Sequence, residues 1–292
     1  MKAIQIASDN SLVWAEFDKP APGDHEVLIK VAATAINRAD LVQRTGGYPP
    51  PLGASPILGL ECSGEVVAVG ASCQRYREGD RVCALLAGGG YAEYAVVDEG
   101  SVLPVPGGLT LTQAAGIPEV FATAWLNLFI EAGMQPGEKV VLHAGASGVG
   151  TAAIQMCKIN AVETFVTVGS EHKLNACLQL GASGGVNRHD GPFLEAVRSF
   201  APGGVDVILD PVGAGYLADN IQLLGLNGRL VLIGLMGGMK ADLDLASLMM
   251  KRIRLIGSTL RARPLQEKAA VMNQLEERLW PGLASGEISV TV

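Results

Sequence analysis

Residues 139–155 read KVVLHAGASGVGTAAIQ. A run of mostly apolar, β-branched residues passes into a stretch of small ones, and an apolar pattern at helical spacing follows. Strand, glycine-rich turn and helix thus succeed one another without a break. At the junction stands Gly148-x-Gly150-x-x-Ala153, the spacing that receives the pyrophosphate of a dinucleotide. In that scheme Gly148 permits a tight turn, Gly150 lets the backbone approach the ligand, and Ala153 keeps helix close to strand. Ser147, Gly148, Val149 and Gly150 then open a helix whose unpaired N–H groups and positive dipole end attract phosphate.

Outward from this loop the chain alternates. EKVVLHAG, TFVTVGS, GGVN, VDVILDPV, GRLVLIG and RIRLIGST read as strands. The helical patterns VGTAAIQMCKIN, EHKLNACLQLG, GPFLEAVRSFA and GAGYLADNIQLLG separate them. Such alternation asks for a parallel sheet with crossover helices, and near-continuous apolar strands ask for burial on both faces. The fold class expected is α/β, a Rossmann-type doubly wound parallel sheet over 121–256. Before it, over 1–120, HEVLIKVAATAI, ECSGEVVAVG, DRVCALLA and YAEYAVVDE are short strands among turn formers, the mark of a β-rich domain. The tail, 257–292, is expected to return to that first domain.

An NAD site places an Asp or Glu at the end of the second strand, on the ribose 2′-hydroxyl. This chain offers Gly169 and Ser170 there, with Lys173 one helical step on and Arg188 after the third strand. A carboxylate repels a 2′-phosphate, whereas serine, lysine and a guanidinium accept one. The expectation is NADPH. Glu171 stands as the counter-signal, since a carboxylate turned to the ribose would reverse the choice.

The 292 residues are nearly half apolar and carry a net charge of −7. An acidic surface argues against general nucleic-acid or anionic-membrane binding. No apolar run reaches the length of a membrane helix. The opening MKAIQIASDNSLVW lacks a signal peptide's apolar core and cleavage site. Five scattered cysteines, Cys62, Cys73, Cys83, Cys157 and Cys177, form no CxxC pair and read as small buried hydrophobes of a reducing, cytoplasmic compartment.

The segments AINRADLVQRTGGYPPPLGASPILGLECSGEVVAVG (35–70), EGDRV (78–82), AGASGVGTAAIQ, LDPVG and LVLIGLMGG resemble the medium-chain dehydrogenase/reductase superfamily. Within it they are similar to the quinone oxidoreductase (zeta-crystallin) branch, and to its stress-inducible NADPH quinone oxidoreductases. The resemblance covers nearly the whole chain. It implies that the first domain is a GroES-like catalytic domain and that the protein works as a homodimer. It also implies that Asn37 contacts the nicotinamide ribose and that Tyr48 faces the substrate. Thr123 would hold the cofactor near the nicotinamide, and Leu235, Met236 and Leu260 would line that ring. Where zinc-dependent members have a ligand Cys and a ligand His, this chain has Asn37 and Leu60, so the resemblance implies no zinc. Asp40 reads as a structural acceptor for its loop and His143 as a packing residue.

Without a Lewis acid, a quinone or an activated alkene is the easier acceptor. The activity expected is zinc-independent NADPH:quinone oxidoreduction, with enoyl or alkenal reduction as the alternative. A dinucleotide-binding protein with little catalysis is the reading from another class. Members of the branch continue past the equivalent of GEISVTV with a helix and a final strand. The expectation is therefore that the return segment is truncated at Val292, leaving a strand edge and an apolar surface of the first domain uncovered, or that another chain covers them.

Overall fold

The computed structural model describes residues 1–291; Val292, the last residue of the expected return segment, lies outside them. The chain divides into two compact units. One comprises Met1–Ala122 and the segment that begins at Leu260; the other is Thr123–Thr259.

The first unit starts with an antiparallel hairpin, β1 (Lys2–Ile6) and β2 (Leu12–Glu16). It continues through β3 (Glu26–Thr34), α1 (Arg38–Arg44), β4 (Glu61–Val69), β5 (Arg81–Leu85), β6 (Tyr94–Asp98) and β7 (Val102–Pro104). Its five-stranded sheet has the order β6-β3-β4-β5-β7, antiparallel throughout. Register shifts between Leu28 and Ile29, and between Val31 and Ala33, bend β3, and the sheet curls around its core. That core is made of β-branched and small residues on the inward positions: Val27, Ile29, Cys62, Val66, Val82, Ala84 and Val102. On its outer side β6 pairs with no other strand among the described residues. Two short helices follow, α2 (Leu111–Ala114) and α3 (Pro118–Trp125), the first begun by Thr110, whose hydroxyl accepts the Gln113 N–H. A π-helical stretch over Leu126–Glu131 continues from α3.

The second unit is built on β8 (Lys139–His143), α4 (Gly148–Ile159), β9 (Glu163–Val168), α5 (Glu171–Leu180), β10 (Gly184–Asn187), α6 (Phe193–Phe200), β11 (Val205–Asp210), α7 (Leu217–Leu223), β12 (Leu224–Leu232), α8 (Leu245–Met250) and β13 (Arg254–Gly257). Every strand pair is parallel and the order is β10-β9-β8-β11-β12-β13. Counting from β8, that is 3-2-1-4-5-6, the order of a doubly wound dinucleotide-binding sheet. β8, β9 and β11 are buried along almost their whole length, as a sheet covered on both faces requires. One core gathers Val141, Phe165, Ile208 and Leu230 of the sheet with Phe193 and Val197 of α6 and Ile221 of α7. Arg229, buried in β12, clamps the base of the sheet: its Nη1 and Nη2 reach the Glu138 carboxylate at 2.8 and 2.7 Å, and its Nε reaches the Ala132 carbonyl at 2.9 Å.

From Leu260 the chain belongs to the first unit again, through α9 (Leu265–Arg278) and α10 (Trp280–Ser285). The return is anchored at three places. Arg261 Nε donates to Ala87 O at 2.7 Å, Arg75 pairs with Glu276 at 2.9 Å, and Trp280 Nε1 donates to Pro104 O at 2.7 Å.

Candidate functional site

The functional candidates of the second unit gather at the carboxyl ends of its strands, where open α/β sheets receive ligands. β8 ends at His143 and the backbone turns sharply. Ala144 takes the positive φ of 54°, so the left-handed residue of this turn is an alanine, upstream of Gly148. Ser147 then caps α4, its hydroxyl accepting the Gly150 N–H at 3.1 Å. Ser147 and Gly148 are exposed at the start of the helix, and Gly150 is buried. A Cβ on Gly150 would lie 2.4 Å from the Gly145 carbonyl oxygen, so this glycine lets the helix close on its own loop. The result is a helix start whose first residues, Ser147 and Gly148, meet solvent, suited to a pyrophosphate.

β9 ends beside it. Gly169 is followed by Ser170, which caps α5 by accepting the Lys173 N–H at 3.3 Å. A Cβ at Gly169 would stand 3.8 Å from the Arg188 guanidinium and 3.9 Å from His189 Nε2. The structure thus brings Gly169, Ser170 and Arg188 together, with Lys173 exposed in the first turn of α5. His189 joins them. The sequence reading had no signal for it, because one exposed histidine in a polar turn carries no pattern. Glu171 is exposed in the same helical turn as Lys173.

Leu235 and Met236 lie in the loop after β12, each about half exposed at 52%. Met236 N–H donates to Pro211 O at 3.2 Å and Gly237 N–H to Val212 O at 2.7 Å, so this loop is pinned to the turn after β11. Thr123 is half-buried in α3, and its carbonyl accepts from Asn127 Nδ2 at 2.7 Å. His143, read as packing, is 3% exposed and forms a three-ring cluster with Phe193 and Tyr216. It also makes two hydrogen bonds, to Thr167 Oγ1 at 3.0 Å and Asn220 Oδ1 at 2.7 Å. Burial lowers its pKa to about 4, so the ring is neutral.

The remaining candidates belong to the first unit. Asn37 precedes α1 and gives its Nδ2 to Glu61 Oε1 at 2.7 Å. Asp40 accepts from Asn37 N (2.8 Å), Gly59 N (3.0 Å) and the Tyr91 hydroxyl (3.0 Å), the duties of an acceptor that fixes a loop. Tyr48 is half-buried under the Arg261 guanidinium, 5.3 Å from its ring centre. Arg261 also donates to the Tyr48 carbonyl at 3.3 Å. Burial, then the Glu119 charge, raise the phenol's pKa while Arg261 lowers it, and the hydroxyl keeps its proton. Glu61 is wholly buried, and its other oxygen accepts the Glu119 N–H at 2.9 Å. Leu260 is 5% exposed, and it falls in this unit, whereas Leu235 and Met236 fall in the other. At the two positions where zinc ligands would stand, Asn37 donates and Leu60 is a buried hydrocarbon.

Known families match both units. Residues 23–107 match the alcohol dehydrogenase GroES-like domain and residues 148–277 the zinc-binding dehydrogenase family. Quinone oxidoreductase of Rattus norvegicus is 31% identical over 268 residues, 89% of this chain and 80% of that protein. This chain belongs to the medium-chain dehydrogenase/reductase superfamily. Other members of the superfamily resemble it in different proportions. The synaptic vesicle membrane protein VAT-1 homolog of Homo sapiens is 33% identical over 74% of this chain, and the chain spans only 55% of that relative's length. Among solved structures, Escherichia coli quinone oxidoreductase complexed with NADPH superposes with a TM-score of 0.86 at 26% identity, covering 100% of this chain and 89% of that one. The CurK enoyl reductase superposes at 0.83 with 27% identity, covering 100% and 90%. The parallel sheet and the curled antiparallel sheet are the two halves of this superfamily's fold.

Proposed function

We propose that the chain is an oxidoreductase that takes NADPH and reduces quinones without zinc. The carrying observation is the end of β9. A side-chain-free Gly169 stands beside Arg188 and His189, Ser170 and Lys173 follow it, and the residue at the ribose position is not a carboxylate. That donor set fits a 2′-phosphate, which Arg can meet with two parallel N–H bonds. The helix start at Ser147, Gly148, Val149 and Gly150, exposed at its first two residues, fits the pyrophosphate.

When bound, NADPH supplies the hydride that the acceptor takes up. The chain's own part is to bind, orient and stabilise. Ser170, Lys173 and Arg188 hold the 2′-phosphate. Asn37, oriented by Glu61, offers its amide oxygen to a ribose hydroxyl. Thr123, Leu235, Met236 and Leu260 serve the nicotinamide end. Tyr48, protonated across the physiological range, donates its O–H to the acceptor oxygen as charge develops there. Zinc independence is supported by the chemistry of Asn37 and Leu60. Among the described residues, moreover, no group of three or more His, Cys, Asp or Glu is placed to hold a metal.

Two further readings accompany this one. The cysteines are unpaired, which fits the reducing cytoplasm. The edge strand β13 with exposed Leu245, Met249 and Met250 nearby in sequence fits a homodimer formed through that edge; a monomer by light scattering would remove it. An activated alkene is the rival substrate, favoured by the likeness to an enoyl reductase. The deciding experiment follows NADPH oxidation with a quinone panel and an enal panel. Quinone turnover is expected, with Lys173→Ala weakening NADPH about tenfold and NADH hardly at all. Turnover of enals alone selects the rival. Binding without turnover on either panel leaves a dinucleotide-binding protein.

A further inference from the structure

We propose that His143 is a positioning residue at the centre of a buried hydrogen-bonded rail that fixes both ends of the dinucleotide site in register. The inference rests on the reading of this sheet edge as the NADPH site.

The direction of every bond in the rail follows from its anchor. Asp210, at the end of β11, accepts from the Val212 N–H at 2.5 Å and the Gly213 N–H at 3.2 Å, and backbone N–H groups can only donate. Asn220 of α7 adds its Nδ2 at 3.0 Å. Its amide oxygen is thereby turned to His143 Nε2, 2.7 Å away. An amide oxygen can only accept, so Nε2 carries the hydrogen and Nδ1 presents a lone pair. That lone pair takes the Thr167 O–H at 3.0 Å. One tautomer of His143 satisfies all four residues, and Phe193 and Tyr216 both pack against the ring.

The two ends of the rail are the parts of the site that must agree. Thr167 lies two residues before Gly169, and its carbonyl also accepts the Gly145 N–H at 3.0 Å. One residue thus ties the 2′-phosphate loop to the glycine loop. At the far end Asp210 shapes the 211–213 turn, and that turn carries the loop of Leu235 and Met236 through the bonds from Met236 N and Gly237 N. The rail crosses the carboxyl ends of β9, β8 and β11. Thr167, His143, Asn220 and Asp210 are all 3% exposed or less. Apolar side chains would fill that space without the desolvation of four polar groups. What the polar set adds is a single geometry.

The test compares wild type with His143→Phe, which keeps a ring against Phe193 and Tyr216 and removes both bonds. Thr167→Val, which removes one hydroxyl, is the gentler variant. Ile208→Val, a core truncation in the same unit, controls for lost stability. Dissociation constants for NADPH and for adenosine 2′,5′-bisphosphate are measured with the emission of bound NADPH, which reports the reduced nicotinamide's surroundings. His143→Phe is expected to weaken both ligands about threefold to thirtyfold and to shift the nicotinamide emission. Ile208→Val is expected to lower the melting temperature and leave both readouts in place. Unchanged binding and emission in His143→Phe overturn the rail, as does equal weakening in Ile208→Val at equal loss of stability. If His143→Phe does not fold, unchanged constants in Thr167→Val overturn it instead. Failure of the wild type to bind NADPH overturns the functional reading first, and the rail with it.

Discussion

Glu61 and Glu119 carry ionisation equilibria that the fold has displaced in one direction. Burial is the main cause for both, and it pushes Glu61 up to about 7. For Glu119, burial is joined by the charges of Glu61 and Asp40, and its pKa rises to about 8. Both values exceed the ordinary 4.5 of a glutamate. The native state therefore holds protons that the unfolded chain has released, and stability falls as pH rises through the folded values. His143 acts with the opposite sign. Its folded value near 4 lies below the ordinary 6.5, so its contribution is lost as pH falls from 6.5 toward 4. Between pH 6.5 and 8 only the carboxylates speak. Over that window the unfolding free energy is expected to drop on the order of 2 kcal/mol, and Glu119→Gln is expected to flatten the drop. Denaturant titrations at stepped pH measure it; a flat wild-type profile would refute the pairing.

At the scale of elements, α4 shows how closely a helix and its loop can be fitted. The Gly145 carbonyl oxygen stands 2.4 Å from where a Cβ of residue 150 would go, and that oxygen belongs to the backbone. Gly150→Ala must move the loop or the helix start. A loss of about 1–3 kcal/mol in stability is expected, together with weaker NADPH binding, and calorimetry with a ligand titration checks both. The strand–loop–helix frame around Gly150 was readable because apolar runs and small residues mark it locally. The same holds for β9 and β11, whose strands carry runs of apolar residues buried on both faces. Other elements escaped the sequence reading. The β1–β2 hairpin leaves Leu12, Val13 and Trp14 exposed, so β2 has no buried face to announce it. Helix α8 likewise shows Leu245, Met249 and Met250 to solvent. The reading carried the helix before β12 through Gly225, whereas α7 ends at Leu223 and Leu224 already pairs with Val205. The partners of His143 lie 24 and 77 positions away, and no local spacing could reveal them.

At the scale of the whole molecule, each unit has its own core and its own tryptophan reporter. Trp125 stacks on Phe129 at 4.4 Å in the unit that carries the glycine loop. Trp280, bonded to Pro104, reports the other unit. With Trp14 replaced by Phe and each reporter kept in turn, NADPH at about a hundred times its dissociation constant should stabilise the unit that holds its phosphates by about 2.7 kcal/mol. The Trp125 transition is expected to move to higher temperature by more than the Trp280 transition; equal shifts, or a larger one at Trp280, would contradict the placement of the phosphate site.

The return of the chain after Leu260 also bears on how the protein is made. Residues emerge from the ribosome in order, and units tend to fold as their parts become available. The parallel sheet needs nothing outside Thr123–Thr259, and it grows outward from β8, the first of its strands to appear. The curled sheet, begun earlier, still lacks Arg261 for the Ala87 carbonyl and Trp280 for the Pro104 carbonyl. Those anchors are synthesised 174 and 176 positions later. The half of the protein that is translated first is therefore the half that is completed last.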